Sequence, residues 1–249
     1  MDIETVKILS EMNERFYAQN AESFSQTRER PWRGWERVVE YLSTLADTRG
    51  PVKILDVACG NMRFEAYMRD SGIPISEVVA VDSCGTFCKN LERVHFVERD
   101  ITKSLVEGSE DPFGCKGERF DAAVCFGFMH HVPSAELRKR LARALVESVV
   151  HGGLAFISFW QFMNDERIAR KAQPCAAALE GIPSGKFETN DCVLGWKDVM
   201  GAMRYCHHFD DSEIDGLCAS LGGAAVVRDR YKSDGKKIPL NGYVVLERQ

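Results

Sequence analysis

The chain has five short, nearly unbroken apolar runs, and longer amphipathic segments separate them. The runs cover residues 52–57, 78–81, 94–97, 122–126 and 154–159. Strands of a parallel sheet that helices cover on both faces show such continuous apolarity, whereas half-exposed strands alternate. The repeated strand–helix–strand order therefore predicts an α/β fold with a Rossmann-like, doubly wound, mostly parallel sheet.

The segment between the fourth and fifth runs carries a helical pattern. Leu137, Leu141, Leu145 and Val149 form one apolar stripe, because residues four apart lie on the same face of a helix. Ser134 is the predicted N-cap and Gly152 the predicted end of this helix. A helix in this position provides the crossover that joins two parallel strands.

The segments around this core complete the predicted organisation. Helices are expected over residues 3–19 and 35–46, with a tryptophan-rich loop over 23–35 between them. A helix over 210–222 precedes two strands, 224–230 and 242–247, which form a terminal β-hairpin and bring the sheet to seven strands. We therefore predict one domain, 1–249, with four parts: an N-terminal helical cap (1–50), a core (51–160), an insertion or lid (161–209) and a C-terminal helix and hairpin (210–249).

Composition limits the partners and the location. The formal net charge is −5, so the protein as a whole does not attract nucleic acid, and RNA binding would need a local basic patch. The nine cysteines are odd in number and lack C-x-x-C spacing, which indicates reduced thiols and no metal site. The N-terminal segment carries acids and no long apolar run, so we expect it not to be a signal peptide, and no apolar run approaches the length of a membrane span. We expect a cytoplasmic protein without a membrane partner.

A tight turn follows the first run, with the sequence Asp56-Val57-Ala58-Cys59-Gly60-Asn61-Met62-Arg63. The next helix begins here and offers free N–H groups and the positive end of its dipole. A dinucleotide site would need several glycines for its pyrophosphate, but this turn has one. S-adenosylmethionine (SAM) has no phosphate, so the turn favours SAM. The predicted ligands are Asp56, Ala58, Cys59, Gly60, Asn61 and Arg63.

Two more acids follow the second and third runs. Asp82, with Ser83 beside it, is placed to accept from the ribose hydroxyls, and Asp100 to accept from the adenine amino group. Ile101 is expected to pack on the adenine ring. Phe126 and Gly127, at the end of the fourth run, complete the predicted cofactor site, because the carboxyl ends of parallel strands meet in one crevice.

These residues resemble a known family. The strings DVACGNMRF, VVAVDSC, RD at 99–100 and FDAAVCFGFMHHV are similar to the successive motifs of class I SAM-dependent methyltransferases. The resemblance covers about residues 50–160. It departs at Met62, where such families commonly have glycine, and the exact cofactor pose depends on that difference.

Other strings resemble one subgroup, the tRNA wobble-uridine carboxymethyl methyltransferases. They are FYAQNAESFSQTRERPWRGW, FMHHV with GGLAFISFWQF, VLGWK, RYCHHF and NGYVVLER. The resemblance spans nearly the whole chain and implies methyl transfer from SAM to the carboxylate of a carboxymethyluridine in tRNA. It also implies a small zinc-binding activator protein as a partner.

The predicted acceptor site combines arginines, aromatic residues and histidines. A carboxylate acceptor, with an ordinary pKa of about 4, is ionised at neutral pH and needs positioning rather than a base. We predict Arg28, His131 and Arg204 as catalytic residues, and Trp32, Tyr205 and His207 as substrate-binding residues. Two alternatives remain open. One is a small-molecule methyltransferase with residues 161–203 as a lid, and the other is a SAM-binding protein without transfer activity.

Overall fold

A computed structural model describes residues 1–27, 30–85, 91–196, 199 and 201–249. In the core and N-terminal cap the elements are α1 (Ile3–Gln26), α2 (Gly34–Arg49), β1 (Val52–Val57), α3 (Arg63–Asp70), β2 (Ile75–Asp82), β3 (Val94–Glu98), α4 (Ile101–Val106), β4 (Phe120–Cys125), α5 (Ala135–Ser148) and β5 (Val149–Trp160). The remaining elements are α6 (Glu166–Ala169), β6 (Gln173–Pro174), α7 (Cys175–Ala178), β7 (Asp191–Gly195), β8 (Met203–His207), α8 (Asp211–Ser220), β9 (Ala225–Ser233) and β10 (Asn241–Arg248).

The main sheet has seven strands in the order β3-β2-β1-β4-β5-β10-β9. Strands β1 to β5 pair in parallel, and β10 pairs antiparallel with both β5 and β9. The predicted seven-stranded, mostly parallel sheet with a terminal hairpin is confirmed.

Both faces of the sheet are covered, which explains the continuous apolar runs. Leu55 and Ala123 point into a cluster with residues of α4, α5 and α8, whereas Ile54 and Ala122 point into a cluster with α2 and α3. Each of these four side chains is fully buried. Because successive residues of a strand face opposite sides, both sides had to be apolar.

The strand register brings the ends of β1, β2 and β4 together. Val57, the last residue of β1, lies beside Val81 of β2 on one side and Cys125 of β4 on the other. The strand order reverses between β1 and β4, and ligands of open α/β sheets bind at such a switch point.

Two predicted helix boundaries were wrong. Helix α1 continues to Gln26, through residues predicted as loop, because tertiary contacts hold its last turns: Trp196 Nε1 donates to Ser23 Oγ (3.2 Å) and Asn61 Nδ2 to Ser25 Oγ (2.8 Å). Helix α5 ends at Ser148, and Gly152 lies inside β5, with φ of 70° where the strand pairing is irregular. The predicted N-cap of α5 is confirmed.

The insertion contains a second sheet that the sequence did not predict, with the order β6-β7-β8. Its strand β8 packs on α1, where Asn13 Oδ1 accepts from the backbone N–H of Tyr205 (2.8 Å). Among the described residues, no helix is long and apolar enough to cross a membrane.

Candidate active site

A cavity of about 950 Å³ lies at the carboxyl ends of the parallel strands, under helix α1. All twelve residues predicted to bind the cofactor line it: Asp56, Ala58, Cys59, Gly60, Asn61, Arg63, Asp82, Ser83, Asp100, Ile101, Phe126 and Gly127. Of the residues predicted for the acceptor site, Trp32, His131 and Arg204 line the same cavity. The two halves of the predicted site therefore meet in one space.

The turn after β1 is built from three left-handed residues. Ala58, Gly60 and Met62 have φ values of 62°, 55° and 57°. A Cβ at Gly60 would meet no atom within 4 Å, so the turn faces open cavity and a ligand can approach its backbone. This is the clearance that a SAM carboxylate or ribose needs.

The burial of the Met62 side chain explains why this turn tolerates methionine where related families commonly have glycine. A left-handed conformation costs an ordinary residue about 1–2 kcal/mol. The Met62 side chain is only 1% exposed, and burying a methionine side chain contributes about 1.5–3 kcal/mol. Burial therefore offsets the strain that glycine would have avoided.

Asp82 orders the cofactor side of the cavity. Its Oδ2 accepts from the N–H of Gly60 (2.9 Å) and its Oδ1 from the N–H of Cys84 (3.0 Å). Burial raises the pKa of this carboxyl, and the backbone hydrogen bonds oppose that shift. Each oxygen keeps a second lone pair, so the carboxylate can still accept from two hydroxyl groups.

Asp56 belongs to a buried carboxyl pair. It contacts Glu65 of α3, and both residues are buried. Burial first, and then the charges of Glu65 and Asp82, raise the pKa of Asp56 well above its usual range. A positively charged ligand would reverse this effect, since a cation favours the ionised carboxylate.

Asp100, the third predicted acid, caps a helix and also lines the cavity. Asp100 is the N-cap of α4 and accepts from the N–H of Lys103 (2.8 Å). The carboxyl of Glu14, on α1, lies within hydrogen-bonding distance of Asp100, and burial together with this contact raises the pKa of Glu14. Ile101 is buried and forms part of the floor.

Arg204 lies in an aromatic box on the other half of the cavity. Its guanidinium carbon is 5.0 Å from the ring centre of Phe16, 5.3 Å from Trp196 and 5.9 Å from Trp160. The residue is 4% exposed. Cation–π contacts hold the planar guanidinium, and such a group is suited to bind a carboxylate with two hydrogen bonds.

His131 is held through both ring nitrogens. Its Nδ1 lies 2.9 Å from the carbonyl oxygen of Tyr205 and its Nε2 2.7 Å from the hydroxyl of Tyr17. A carbonyl can only accept, so Nδ1 carries the proton, and in the neutral ring Nε2 accepts from Tyr17. This arrangement positions the ring in the cavity wall, with Asn13 Nδ2 donating to the His131 carbonyl (3.3 Å).

Tyr205 and His207 do not line the cavity, contrary to their predicted contact with substrate. Both are fully buried. Tyr205 donates to Asp191 Oδ1 (2.7 Å), and His207 contacts Asp191 Oδ1 (2.8 Å) and Glu213 Oε1 (2.9 Å). Alternation along β8 turns both side chains away from the face that carries Arg204. Arg28 lies outside the described residues.

Among the residues that the structure describes, two groups of side chains bring metal-ligand atoms within 4.8 Å of one another: His130, His131 and Cys206, and Glu188, Asp191 and His207. The second group is already crosslinked by hydrogen bonds and by the ion pair of Arg138 with Glu188. That no metal binds remains a prediction.

Trp32 lines the cavity beside Gly127 and Arg63. Its Cη2 lies 3.0 Å from where a Cβ on Gly127 would be, and the Arg63 guanidinium stacks 5.3 Å from the ring centre of Trp32 and 5.2 Å from Trp35. Burial lowers the pKa of Arg63 to about 10, so it stays charged at neutral pH.

Sequence reasoning missed four residues that line the cavity, Asn13, Tyr17, Trp160 and Trp196, and Glu65, which contacts Asp56 behind it. Asn13 and Tyr17 are four apart on a predicted helix, so they share a face, and that spacing could have marked them. The two tryptophans gave no comparable signal, because the fold of the insertion brings them to Arg204.

Comparison with known proteins agrees with this geometry. A family model described as a methyltransferase domain matches residues 24–222. No curated protein sequence matches the chain. Solved structures with a similar fold include a SAM-dependent methyltransferase from Clostridium acetobutylicum, with a TM-score of 0.59, 10% identity, and coverage of 93% of this chain and 98% of that one.

Two further structures have a TM-score of 0.54. The N-methyltransferase NodS from Bradyrhizobium japonicum, in complex with S-adenosylhomocysteine (SAH), is 11% identical, and the match covers 89% of this chain and 90% of that one. The 1,6-didemethyltoxoflavin-N1-methyltransferase from Burkholderia thailandensis is 18% identical, with coverage of 95% and 89%. The fold is that of SAM-dependent methyltransferases. Because the family model spans most of the chain, the protein belongs to the methyltransferase-domain family.

Proposed function

We propose that the protein transfers the methyl group of SAM to a carboxylate oxygen, with carboxymethylated wobble uridine in tRNA as the acceptor. The observation that carries this proposal is Arg204, a buried guanidinium stacked among three aromatic rings on the acceptor half of the cavity. The planar guanidinium can hold the carboxylate of such an acceptor with two parallel hydrogen bonds.

The histidine geometry supports the same chemistry. Both ring nitrogens of His131 already take part in hydrogen bonds, with Tyr205 and Tyr17. An amine, hydroxyl or thiol acceptor needs a base to take its proton, whereas an ionised carboxylate does not. SAM supplies a methyl group bonded to a positively charged sulfur, which the carboxylate oxygen attacks directly. The protein then acts through orientation and exclusion of water.

The aromatic residues support a planar acceptor. Trp160 and Trp196 flank Arg204, and His130 lies 4.9 Å from Trp160 between ring centres. Unstacked bases of RNA bind to proteins by stacking on aromatic side chains and guanidinium planes. The resemblance to tRNA wobble-uridine carboxymethyl methyltransferases names an acceptor that has both a base and a carboxylate. A small zinc-binding activator protein belongs to the same proposal.

A small-molecule acid is the second candidate. Arg204 is almost completely buried, so a free acid would reach it more easily than a nucleotide within an RNA chain. The similar fold from Burkholderia thailandensis was solved with bound 1,6-didemethyltoxoflavin, a small acceptor.

A transfer assay with methyl-labelled SAM tests both candidates. Bulk tRNA and a metabolite extract are incubated in parallel, and the labelled product is treated with mild alkali. A carboxyl methyl ester is hydrolysed and releases labelled methanol, whereas an N-methyl product keeps its label. We expect alkali-labile label in tRNA and a rate that is flat between about pH 6 and 9. Alkali-stable label, a rate that rises steeply through neutral pH, or no transfer would refute carboxylate methylation.

A further inference from the structure

We propose that a basic rim beside the cavity binds the phosphate backbone of an RNA acceptor. This inference rests on the proposed function. The basic rim consists of Arg30 and Arg33, before α2, and Lys236 and Lys237, in the turn between β9 and β10. All four side chains are exposed.

Hydrogen bonds hold the two halves of the rim together. The N–H of Gly34, which follows Arg33, donates to Asp234 Oδ1 (3.1 Å), and the hydroxyl of Tyr231 donates to the carbonyl of Gly34 (2.7 Å). Arg63 Nη1 donates to the carbonyl of Arg30 (2.9 Å). The four cations therefore lie on segments that the fold fixes to each other.

The rim borders the opening of the cavity. Trp32, between the two arginines, lines the cavity, and so do residues on both sides of the lysine pair: Asp234, Gly235, Leu240 and Asn241. A nucleotide whose base enters the cavity would leave its phosphates near this rim. The RNA backbone therefore has only a short distance to cover between the cavity and the rim, because neighbouring residues of the same two segments form both.

The local charge balance is positive although the chain as a whole is acidic. Within the described part of the chain, none of the four rim cations forms an ion pair, whereas Lys53 pairs with Glu77 and Glu118 and Lys232 pairs with Asp211. The acid in the hairpin turn, Asp234, points inward and accepts from Gly34, Asn241 and Tyr243. Glu36, in the first turn of α2, is the nearest acid in sequence on the α2 side of the arginines.

Such a rim fits a polyanion better than a single small anion. Exposed lysines and arginines gain affinity for nucleic acid mainly by releasing the counterions condensed on its phosphates. Several dispersed cations can each contact a different phosphate of a long backbone, so their contributions to the affinity add up, and each contact increases the salt dependence of binding. A net charge of −5 makes local placement necessary, because the field of the whole protein opposes RNA.

The test reverses the lysine pair, with Lys236→Glu and Lys237→Glu in one variant. The matched control is Lys116→Glu with Arg119→Glu, which makes the same change in net charge. Lys116 and Arg119 are exposed and precede β4, so they lie at the opposite edge of the sheet from the cavity. Thermal unfolding of both variants checks that each one folds.

Retention of bulk tRNA is measured against salt concentration, from about 50 to 200 mM. We expect the rim variant to bind about tenfold more weakly, with a salt slope smaller by about 1–2, and the control to stay within about twofold of the native protein. Equal weakening by both variants, an unchanged rim variant, or no tRNA retention by the native protein would overturn the proposal.

The methyl-transfer assay on the same variants separates this inference from the proposed function. If the rim variant loses tRNA binding but the native protein transfers no methyl group to tRNA, the rim proposal holds and the proposed function fails. If tRNA is methylated and the rim variant retains and methylates it like the native protein, the function holds and the rim proposal fails.

Discussion

Replacing Arg204 tests the acceptor site directly. Arg204→Met removes the guanidinium and fills similar space in the box of Phe16, Trp160 and Trp196. A carboxylate held by two hydrogen bonds to a charged donor would lose about 1.5–3 kcal/mol per bond. At the lower limit the two bonds contribute about 3 kcal/mol, and about 1.4 kcal/mol corresponds to tenfold in rate. We therefore expect kcat/KM for the acceptor to fall about 150-fold.

Arg204→Lys should lower kcat/KM less than Arg204→Met does. The ammonium keeps the charge but offers no planar pair of donors, so we expect kcat/KM to fall about tenfold. Calorimetry should give SAM affinity within about twofold of the native value in both variants, because Arg204 contacts Phe16, Trp160 and Trp196, and none of these is a predicted cofactor ligand. Arg170→Met is the matched control, since that arginine lies in the same insertion and its side chain is 79% exposed.

Two results would refute the reasoning about Arg204. One is an equal loss of SAM affinity and of kcat/KM, which would mean that Arg204 shapes the whole cavity. The other is native kcat/KM in Arg204→Met, which would exclude an anion contact at this residue.

Three further predictions follow from the site and its supports. The affinity for SAM should rise as the pH increases above 3.8, the ordinary pKa of an aspartate, because burial raises the pKa of Asp56 well above that value and a cationic ligand binds better to the ionised form. Calorimetry should show a weaker pH dependence for SAH, whose sulfur is uncharged, and the Asp56→Asn variant should lack the pH dependence that Asp56 causes. Identical pH profiles for SAM and SAH would contradict the prediction. Gly127→Ala should lower the free energy of unfolding by about 1–3 kcal/mol, since its Cβ would lie 3.0 Å from Trp32. Gly60 has a similar φ and open space around it, so Gly60→Ala measures the cost of backbone strain alone in denaturant melts. Equal losses in the two variants would rule out a clash with Trp32. Burial lowers the pKa of His207, but hydrogen bonds to two carboxylates outweigh burial and raise it. The stability that this group contributes is therefore complete below the ordinary pKa of about 6.5 and is lost as the pH rises through the raised value. The free energy of unfolding of the native protein should fall with rising pH in this range, His207→Gln should lack that fall, and equal slopes would refute the prediction.

The residues that the sequence predicts as cofactor ligands come together in one cavity, because their placement depends on local order along the chain. The turn from Asp56 to Arg63, Asp82 and Asp100 each follow an apolar run, and parallel pairing places the ends of such runs at one edge. Every predicted cofactor ligand among these residues lines the cavity.

The acceptor half depends on contacts between distant segments, so the same reasoning failed for part of it. Nothing in RYCHHF distinguishes Arg204, which faces the cavity, from Tyr205 and His207, which are buried behind it. Their directions follow from the pairing of β8 with β7 and from α1, which contacts it.

The sequence by itself determined the mostly parallel sheet with its terminal hairpin, and the edge at which the predicted cofactor ligands lie, because apolar periodicity and right-handed crossovers leave few alternatives. Only the tertiary structure decided which side chains surround the acceptor. Phe16, Trp160, Trp196 and Arg204 are far apart along the chain, and they form one box only because α1 and the insertion pack over the carboxyl edge. Packing between remote segments depends on the shape of the whole interior, which no local pattern encodes.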